Sequence, residues 1–152
     1  MRIAFVGDIH GKLDLMYKSI SNLESTVGEI DRIIQLGDFQ AIRDKKDLNQ
    51  FPAPNRYRSE RDYPKYHKIG IVPKPTDFIG GNHENNLWHS QYPSGHELIR
   101  NLHYLGRSGV KSFDDIKIGW ISGTYSEPTF EGTKEKPKYH HFTKEDFDNL
   151  EE

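Results

Sequence analysis

The stretch MRIAFVGDIHG (1–11) contains the pattern that decides the fold, a short apolar run that ends in glycine and polar residues. A second apolar run, RIIQL (32–36), is followed at once by Gly37 and Asp38. Both runs are typical of buried parallel strands in an α/β sheet. The apolar residues between them have the i, i+3, i+4, i+7 spacing of an amphipathic helix. These residues are Leu13, Met16, Tyr17, Ile20 and Leu23. The first 38 residues therefore predict a βαβ unit.

A third run of the same kind, TDFI (76–79), is followed by GGNHE (80–84). Functional sites in open α/β sheets form at the carboxyl ends of the strands, so we expect the three polar strand ends to converge. Asp8 and His10 are two residues apart on an extended backbone and can face one site. Carboxylate, imidazole and amide donors suit a cation such as Mn, Fe or Zn. A helix cap at Asp8 and a simple turn at Gly37-Asp38 remain the alternatives.

The composition limits which kinds of site this chain can build. It has 152 residues, which is typical of one domain, with a formal net charge of -2, eight histidines and no cysteine. Without cysteine, a disulfide framework and a thiolate metal site are both excluded. The apolar run before Gly7 is too short for a signal peptide or a membrane span. We therefore expect an intracellular, soluble protein with no membrane partner.

The charge is distributed unevenly along the chain. Residues 43–74 contain nine basic and four acidic residues, a local net charge of +5, whereas residues 127–152 contain four lysines and eight acids. A basic segment of this kind indicates a polyanionic partner. Residues 45–75 are rich in proline and tyrosine and are predicted to be an irregular loop. Short runs at 103–105, 110–113 and 117–122 predict the beginning of a second, antiparallel sheet, with Gly106 and Asp114-Asp115 at the turns.

The blocks GDIHG (7–11), GD (37–38) and GNHE (81–84) resemble, in the same order, the signature blocks of the calcineurin-like metallophosphoesterase superfamily. Three longer stretches are similar to the family of RNA lariat debranching enzymes: LGDFQAIRDKKDL (36–48), FPAPNRYRS (51–59) with the tyrosines after it, and 78–126. The resemblance implies the N-terminal part of an α/β metallophosphoesterase fold, a central β-sandwich flanked by helices. It assigns residues 1–126 to that domain, with a basic insertion loop at 43–75, and leaves 127–152 as an acidic polar C-terminal segment.

The resemblance also implies a cofactor, two divalent metal ions (Mn, Fe or Zn), and a role for each residue of the blocks. Asp8 and His10 would bind the first ion, Asp38 would bridge both ions, and Asn82 would bind the second. His83 would protonate the leaving oxygen of the scissile phosphate. Many members of the family have cysteine where this chain has Asp8, and an aspartate there favours an ordinary dinuclear site.

The implied partner is branched or lariat RNA, and the implied reaction is hydrolysis of the 2′,5′-phosphodiester bond at its branch point. In a eukaryote the implied location is the nucleus. Aromatic faces stack on unpaired bases and cations neutralise phosphates, so we expect substrate contacts from the basic segment. The candidates are Tyr57, Arg58, Tyr63 and Tyr66. A solvated loop whose tyrosines pack on the core is the alternative.

The sequence departs from the superfamily after its third block. The superfamily completes its metal site with histidines in a His-Asp block and a Gly-His-x-His block, and this chain contains neither. The two ions would then lean on water or on a second polypeptide that completes the active site, with His140 and His141 as an alternative pair of donors. Two other functions remain open: a different calcineurin-like phosphoesterase acting on nucleotides or phosphoproteins, and a truncated, non-catalytic RNA-binding relic.

Overall fold

A parallel sheet with four strands in sequential order forms the centre of the fold. The computed structural model describes residues 1–136 and 138–150, apart from the side chain of Tyr57. The sheet runs in the order β1 (Ile3–Val6), β2 (Arg32–Gln35), β3 (Ile71–Phe78) and β4 (His96–Tyr104). A second, antiparallel sheet consists of β5 (Ser108–Phe113) and β6 (Ile116–Ile121). The predicted α/β class is confirmed.

Helix α1 (Leu13–Val27) connects β1 to β2, which confirms the predicted βαβ unit. Four of its five predicted apolar residues are buried, and only Leu23, near the helix end, is exposed. Ile33 and Ile34 are neighbours in β2 and therefore point to opposite faces of the sheet. Ile33 packs in the cluster that contains the apolar face of α1, whereas Ile34 packs with Phe113 of the second sheet. The main sheet is thus covered by α1 on one face and by the β5–β6 sheet on the other.

The segment between β2 and β3 is more regular than predicted. It contains α2 (Lys45–Gln50), a 3-10 turn (Asn55–Tyr57) and α3 (Tyr63–Ile69), so the prediction of an irregular loop over 45–75 is wrong. Asp44 caps α2, because its side chain accepts hydrogen bonds from the backbone N–H groups of Lys46 and Asp47. Pro64 lies in the first turn of α3, where a missing N–H costs nothing.

Strand β3 begins at Ile71, five residues before the predicted start at Thr76. Its two prolines, Pro73 and Pro75, lie between Ile71 and Thr76, where the pairing with β4 shifts register. Proline is tolerated in a strand where a ladder hydrogen bond is absent, as it is at this irregularity. Because proline usually argues against a strand, the first half of β3 was not predicted from the sequence.

The run at 103–105 was expected to begin the antiparallel sheet, but it is the end of β4 and pairs with β3 in the parallel sheet. The antiparallel pair β5–β6 is confirmed.

Three short helices complete the fold. Helix α4 (Asn86–His89) precedes β4, and α5 (Glu127–Phe130) and α6 (Lys144–Asp148) follow β6. Arg107 binds the Asp146 carboxylate and the Tyr139 carbonyl, which ties this last part of the chain to β5. None of the helices among the described residues is long and apolar enough for a bilayer span.

Candidate metal centre

The carboxyl ends of β1, β2 and β3 bring one cluster of donor atoms together. Ligand atoms of His10, Asp38 and His83 lie within 4.8 Å of one another. The Asp38 Oδ2 atom is 3.8 Å from His10 Nε2 and 3.3 Å from His83 Nδ1. Asp8 Oδ2 is 4.0 Å from His10 Nε2 on the outer side of the cluster. The structure therefore brings four of the predicted site residues together from three strand ends.

The backbone at the first two strand ends adopts an unusual conformation. His10, Asp38 and Gln40 have φ angles of 46°, 52° and 61°, a region that residues other than glycine seldom occupy. The two ends are joined by hydrogen bonds from His10 N–H to the Asp38 carbonyl (2.9 Å) and from Gly11 N–H to the Phe39 carbonyl (3.1 Å). Such conformations persist only where the surrounding structure determines them, and they concentrate at functional sites.

The third strand end closes directly onto Asp38. A Cβ atom at Gly81 would overlap the Asp38 carboxylate and would lie 2.5 Å from the Asp38 backbone nitrogen. The backbone N–H of His83 donates to Asp38 Oδ1 at 2.8 Å. Glycine is therefore required at position 81 so that Asp38 can reach both histidines.

Glu84 is a residue of this site whose role the sequence did not reveal. Its side chain is fully buried, and its carboxyl oxygens accept hydrogen bonds from the backbone N–H groups of Phe39 (2.5 Å) and Gln40 (2.9 Å). Burial raises the pKa of Glu84 to about 8, although these backbone donors act in the opposite direction. The Glu84 hydrogen bonds thus connect the third strand end to the second, between residues more than 40 positions apart in the sequence.

Gln40 is a second such residue, because its side-chain amide nitrogen lies 2.9 Å from His10 Nδ1. Rotation of the amide by half a turn places Oε1 there, where it accepts a hydrogen bond from Nδ1–H. That arrangement leaves His10 Nε2 free to bind a cation, and metal-ligating histidines generally have their other nitrogen held in this way. The only sequence signal was the position of Gln40, two residues after Asp38.

The donor set fits a divalent cation. The Asp38 side chain is only 8% exposed, and two imidazoles face the same carboxylate oxygen. The Asp8 and His10 side chains are 62% and 41% exposed, so solvent reaches the outer side of the cluster. A mixture of carboxylate and imidazole donors suits Mn, Fe or Zn. The backbone N–H of His83 donates the hydrogen bond to the Asp38 carboxylate, and the adjacent Asn82 is half-buried, with its carbonyl accepting from the Asn86 side-chain amide.

Two predicted RNA contacts are corrected by the structure. Tyr63 is 0% exposed and belongs to the main core, and Tyr66 is buried with its hydroxyl donating to Asp14 Oδ1 at 2.7 Å. Neither ring has a free face on which a base could stack. Arg58 is half-buried and its Nε donates to the Ala53 carbonyl at 2.8 Å, so it holds its own loop together. The side chain of Tyr57 lies outside the described part of the chain.

Comparison with known proteins agrees with this arrangement. The family model described as calcineurin-like phosphoesterase matches residues 1–151. The chain is 39% identical over 148 residues to the lariat debranching enzyme of Arabidopsis thaliana, an alignment that covers 94% of this chain and 35% of that protein. It is 39% identical to the lariat debranching enzyme of Saccharomyces cerevisiae (91% of this chain, 34% of the relative) and 35% identical to that of Homo sapiens (94% and 27%). The chain spans between about a quarter and a third of the length of these curated relatives. With three strand ends that bring the candidate metal ligands together, the chain belongs to the calcineurin-like phosphoesterase family.

Proposed function

We propose that this chain forms part of a metal-dependent phosphodiesterase that hydrolyses the 2′,5′-phosphodiester bond at the branch point of lariat RNA. The observation that supports this function is the cluster of His10, Asp38 and His83, built from three strand ends. Similarity to proteins named lariat debranching enzymes supplies the substrate class. In a eukaryote we expect the protein to act in the nucleus.

Asp8, His10, Asp38 and Asn82 would hold two divalent ions (Mn, Fe or Zn), with Asp38 shared between them. Bound ions of this kind neutralise the charge on phosphoryl oxygens and lower the pKa of water. Asp38 is suited to the shared position because it lies between the first and third strand ends. Its Oδ1 atom accepts the His83 backbone N–H, and its Oδ2 atom faces both imidazoles.

His83 would donate the proton that the leaving oxygen needs. Its Nδ1 atom lies 3.3 Å from Asp38 Oδ2, so the carboxylate orients the ring through one nitrogen. Within the described residues, the other ring nitrogen, Nε2, forms no hydrogen bond that would compete with this role. An imidazole oriented in this way is the usual general acid near neutral pH.

A different phosphoesterase, acting on nucleotides or phosphoproteins, is the second candidate. The burial of Tyr63 and Tyr66 favours it, because the basic segment then offers fewer faces for RNA bases than its sequence indicated. Cleavage of a small chromogenic diester without cleavage of branched RNA would support this candidate. Negligible bound metal together with salt-sensitive RNA binding would instead indicate a non-catalytic relic.

The proposed function is tested with the purified chain, Mn²⁺ or Fe²⁺ and a short branched RNA. Cleavage of the 2′,5′ bond is expected, either by the chain alone or together with a second polypeptide that carries the later histidine blocks; no cleavage in both cases would refute the proposal. The Asp38→Asn variant should abolish cleavage and weaken Mn²⁺ binding by more than about tenfold, measured by calorimetry. Asp115→Asn, an exposed turn residue between β5 and β6, is the matched control and should change neither quantity.

A further inference from the structure

A cavity of about 340 Å³ opens beside the two histidines of the metal centre. Its volume falls within the range of roughly 300–1,000 Å³ that small-molecule sites occupy. His10 and His83 form one wall, so an occupant of the cavity touches the site where the reacting phosphate would lie. Two other residues that line the cavity are apolar and buried, and two more are positively charged. These lining residues are Phe51 and Ala53, and Lys12 and Arg61.

Arg61 occupies its position at an energetic cost. Its φ angle is 54°, a conformation that an arginine seldom adopts. Its side chain lies over Gly11, where an added Cβ atom would be 2.7 Å from Arg61 Cβ. The hydrogen bond from Asp62 N–H to the Gly11 carbonyl (3.1 Å) fixes this approach. Backbone strain at Arg61, which lies over Gly11 and lines the same cavity as His10, indicates a functional role for its cation.

The two cations of the cavity are available to an anion. Lys12 and Arg61 are both exposed, and neither forms an ion pair with a carboxylate among the residues that the structure describes. Other cations of the same basic segment are paired within the chain, Arg43 with Asp47 and Lys65 with Asp14. Arg61, from this segment, and Lys12 thus place two positive charges without a carboxylate partner in the described chain at the cavity beside the metal centre, where a nucleic-acid backbone would present its next phosphate.

We propose that this cavity binds the nucleotide next to the scissile phosphate, with its own phosphate on Arg61 and Lys12 and its sugar or base against Phe51 and Ala53. The inference rests on the proposed function and specifies its substrate. The site would select a diester within a polynucleotide over an isolated phosphate, because only the polynucleotide carries a second phosphate at this distance.

The decisive variant is Arg61→Gly. Glycine adopts a positive φ without steric cost, so the variant should melt at the same temperature as the wild type or higher, while it loses the cation. Binding of a fluorescein-labelled branched RNA, followed by anisotropy in the presence of Mn²⁺, should weaken by about tenfold or more. The slope of log affinity against log salt should become shallower by roughly 0.7, the value for one lost phosphate contact to a single strand. Lys12→Gln should shift both quantities in the same direction.

Arg100→Ala is the matched control, because Arg100 pairs with Ile71 at the start of β3, the end of the sheet opposite the metal centre. It should leave the affinity and the salt slope within error of the wild type. Unchanged affinity and slope in Arg61→Gly, or no RNA binding by the wild type, would overturn the inference. If RNA binding depends on Arg61 but the 2′,5′ bond is not cleaved, the proposed function alone is refuted. If the bond is cleaved but RNA binding does not depend on Arg61, the role of the cavity alone is refuted.

Discussion

His89 is an imidazole enclosed by aromatic rings, and we expect it to make the stability of the chain depend on pH. It is 3% exposed, and neither of its ring nitrogens has a hydrogen-bond partner within the described residues. The rings of Trp88, Tyr104 and Phe78 surround it, with centroids 5.3, 4.6 and 5.5 Å away. A second proton, which would make this ring cationic, would have no partner at hydrogen-bonding distance among the described residues, since the carboxylate of Glu84 is 4.0 Å away.

Burial lowers the pKa of His89 from 6.5 to about 3. The positive charges of His96 and Arg43 act in the same direction, and the carboxylate of Asp47 acts against them. The unfolded chain takes up a proton near pH 6.5, but the folded chain does not do so until about pH 3. His89 therefore contributes stability that is fully present above pH 6.5 and is lost as the pH falls toward 3.

The size of this contribution of His89 to the stability follows from the shift of its pKa. One pKa unit corresponds to about 1.36 kcal/mol, so the whole window from 6.5 to 3 amounts to about 5 kcal/mol of unfolding free energy. Between pH 7 and pH 5 the same linkage gives a loss of about 2 kcal/mol, because the folded form stays neutral over that interval. A loss of this size is a large fraction of the roughly 5–15 kcal/mol that stabilises an ordinary domain.

The assay is urea unfolding at pH 7 and at pH 5, with a chelator present so that metal binding does not contribute. The His89→Phe variant retains an aromatic ring among the same neighbours and cannot take up a proton. The wild type should lose about 2 kcal/mol more than this variant between the two pH values. His67→Gln, an exposed histidine on α3, should lose as much as the wild type. Equal losses in the wild type and His89→Phe would show that burial of His89 does not control the pH dependence.

Two further changes test the site and its surroundings. Gly81→Ala should displace the Asp38 carboxylate and weaken Mn²⁺ binding, measured by calorimetry, by at least about tenfold. Gly7→Ala is the control and should leave Mn²⁺ binding unchanged, because an added Cβ atom there meets none of the described residues within 4 Å. Comparable Mn²⁺ affinity in both alanine variants would contradict the role of Gly81. Tyr63→Phe removes a buried hydroxyl that has no hydrogen-bond partner in the described part of the chain, so it should change the unfolding free energy by less than about 1 kcal/mol and leave RNA affinity unaltered. A marked loss of RNA affinity would return Tyr63 to the substrate contacts.

The sequence predicted those parts of the molecule that depend on local pattern. The strand ends at Asp8, Asp38 and Asn82 were visible because each follows an apolar run and a glycine, and parallel strands place such ends at one edge. The helices of the basic segment were not predicted from the sequence. Its prolines and charges favoured an irregular loop, although Asp44 is a residue that can cap a helix. Gln40 was invisible for a different reason: its role consists of a contact with His10, 30 residues away in the chain.

The same long-range contacts determine how the centre can bind its ions. Asp38 is enclosed by Gly81 and His83 on one side, and these contacts hold its carboxylate in position through the chain's own hydrogen bonds. Asp8 lies on the other side with its side chain 62% exposed. Within the described residues Asp8 is the most exposed member of the cluster, so we expect a further imidazole donor, whether from a second polypeptide or from more of the same protein, to approach on its side. We expect the first ion, which Asp8, His10 and Asp38 would hold, to bind to a centre that is already formed, whereas the second ion, at Asp38 and Asn82, would depend on further donors.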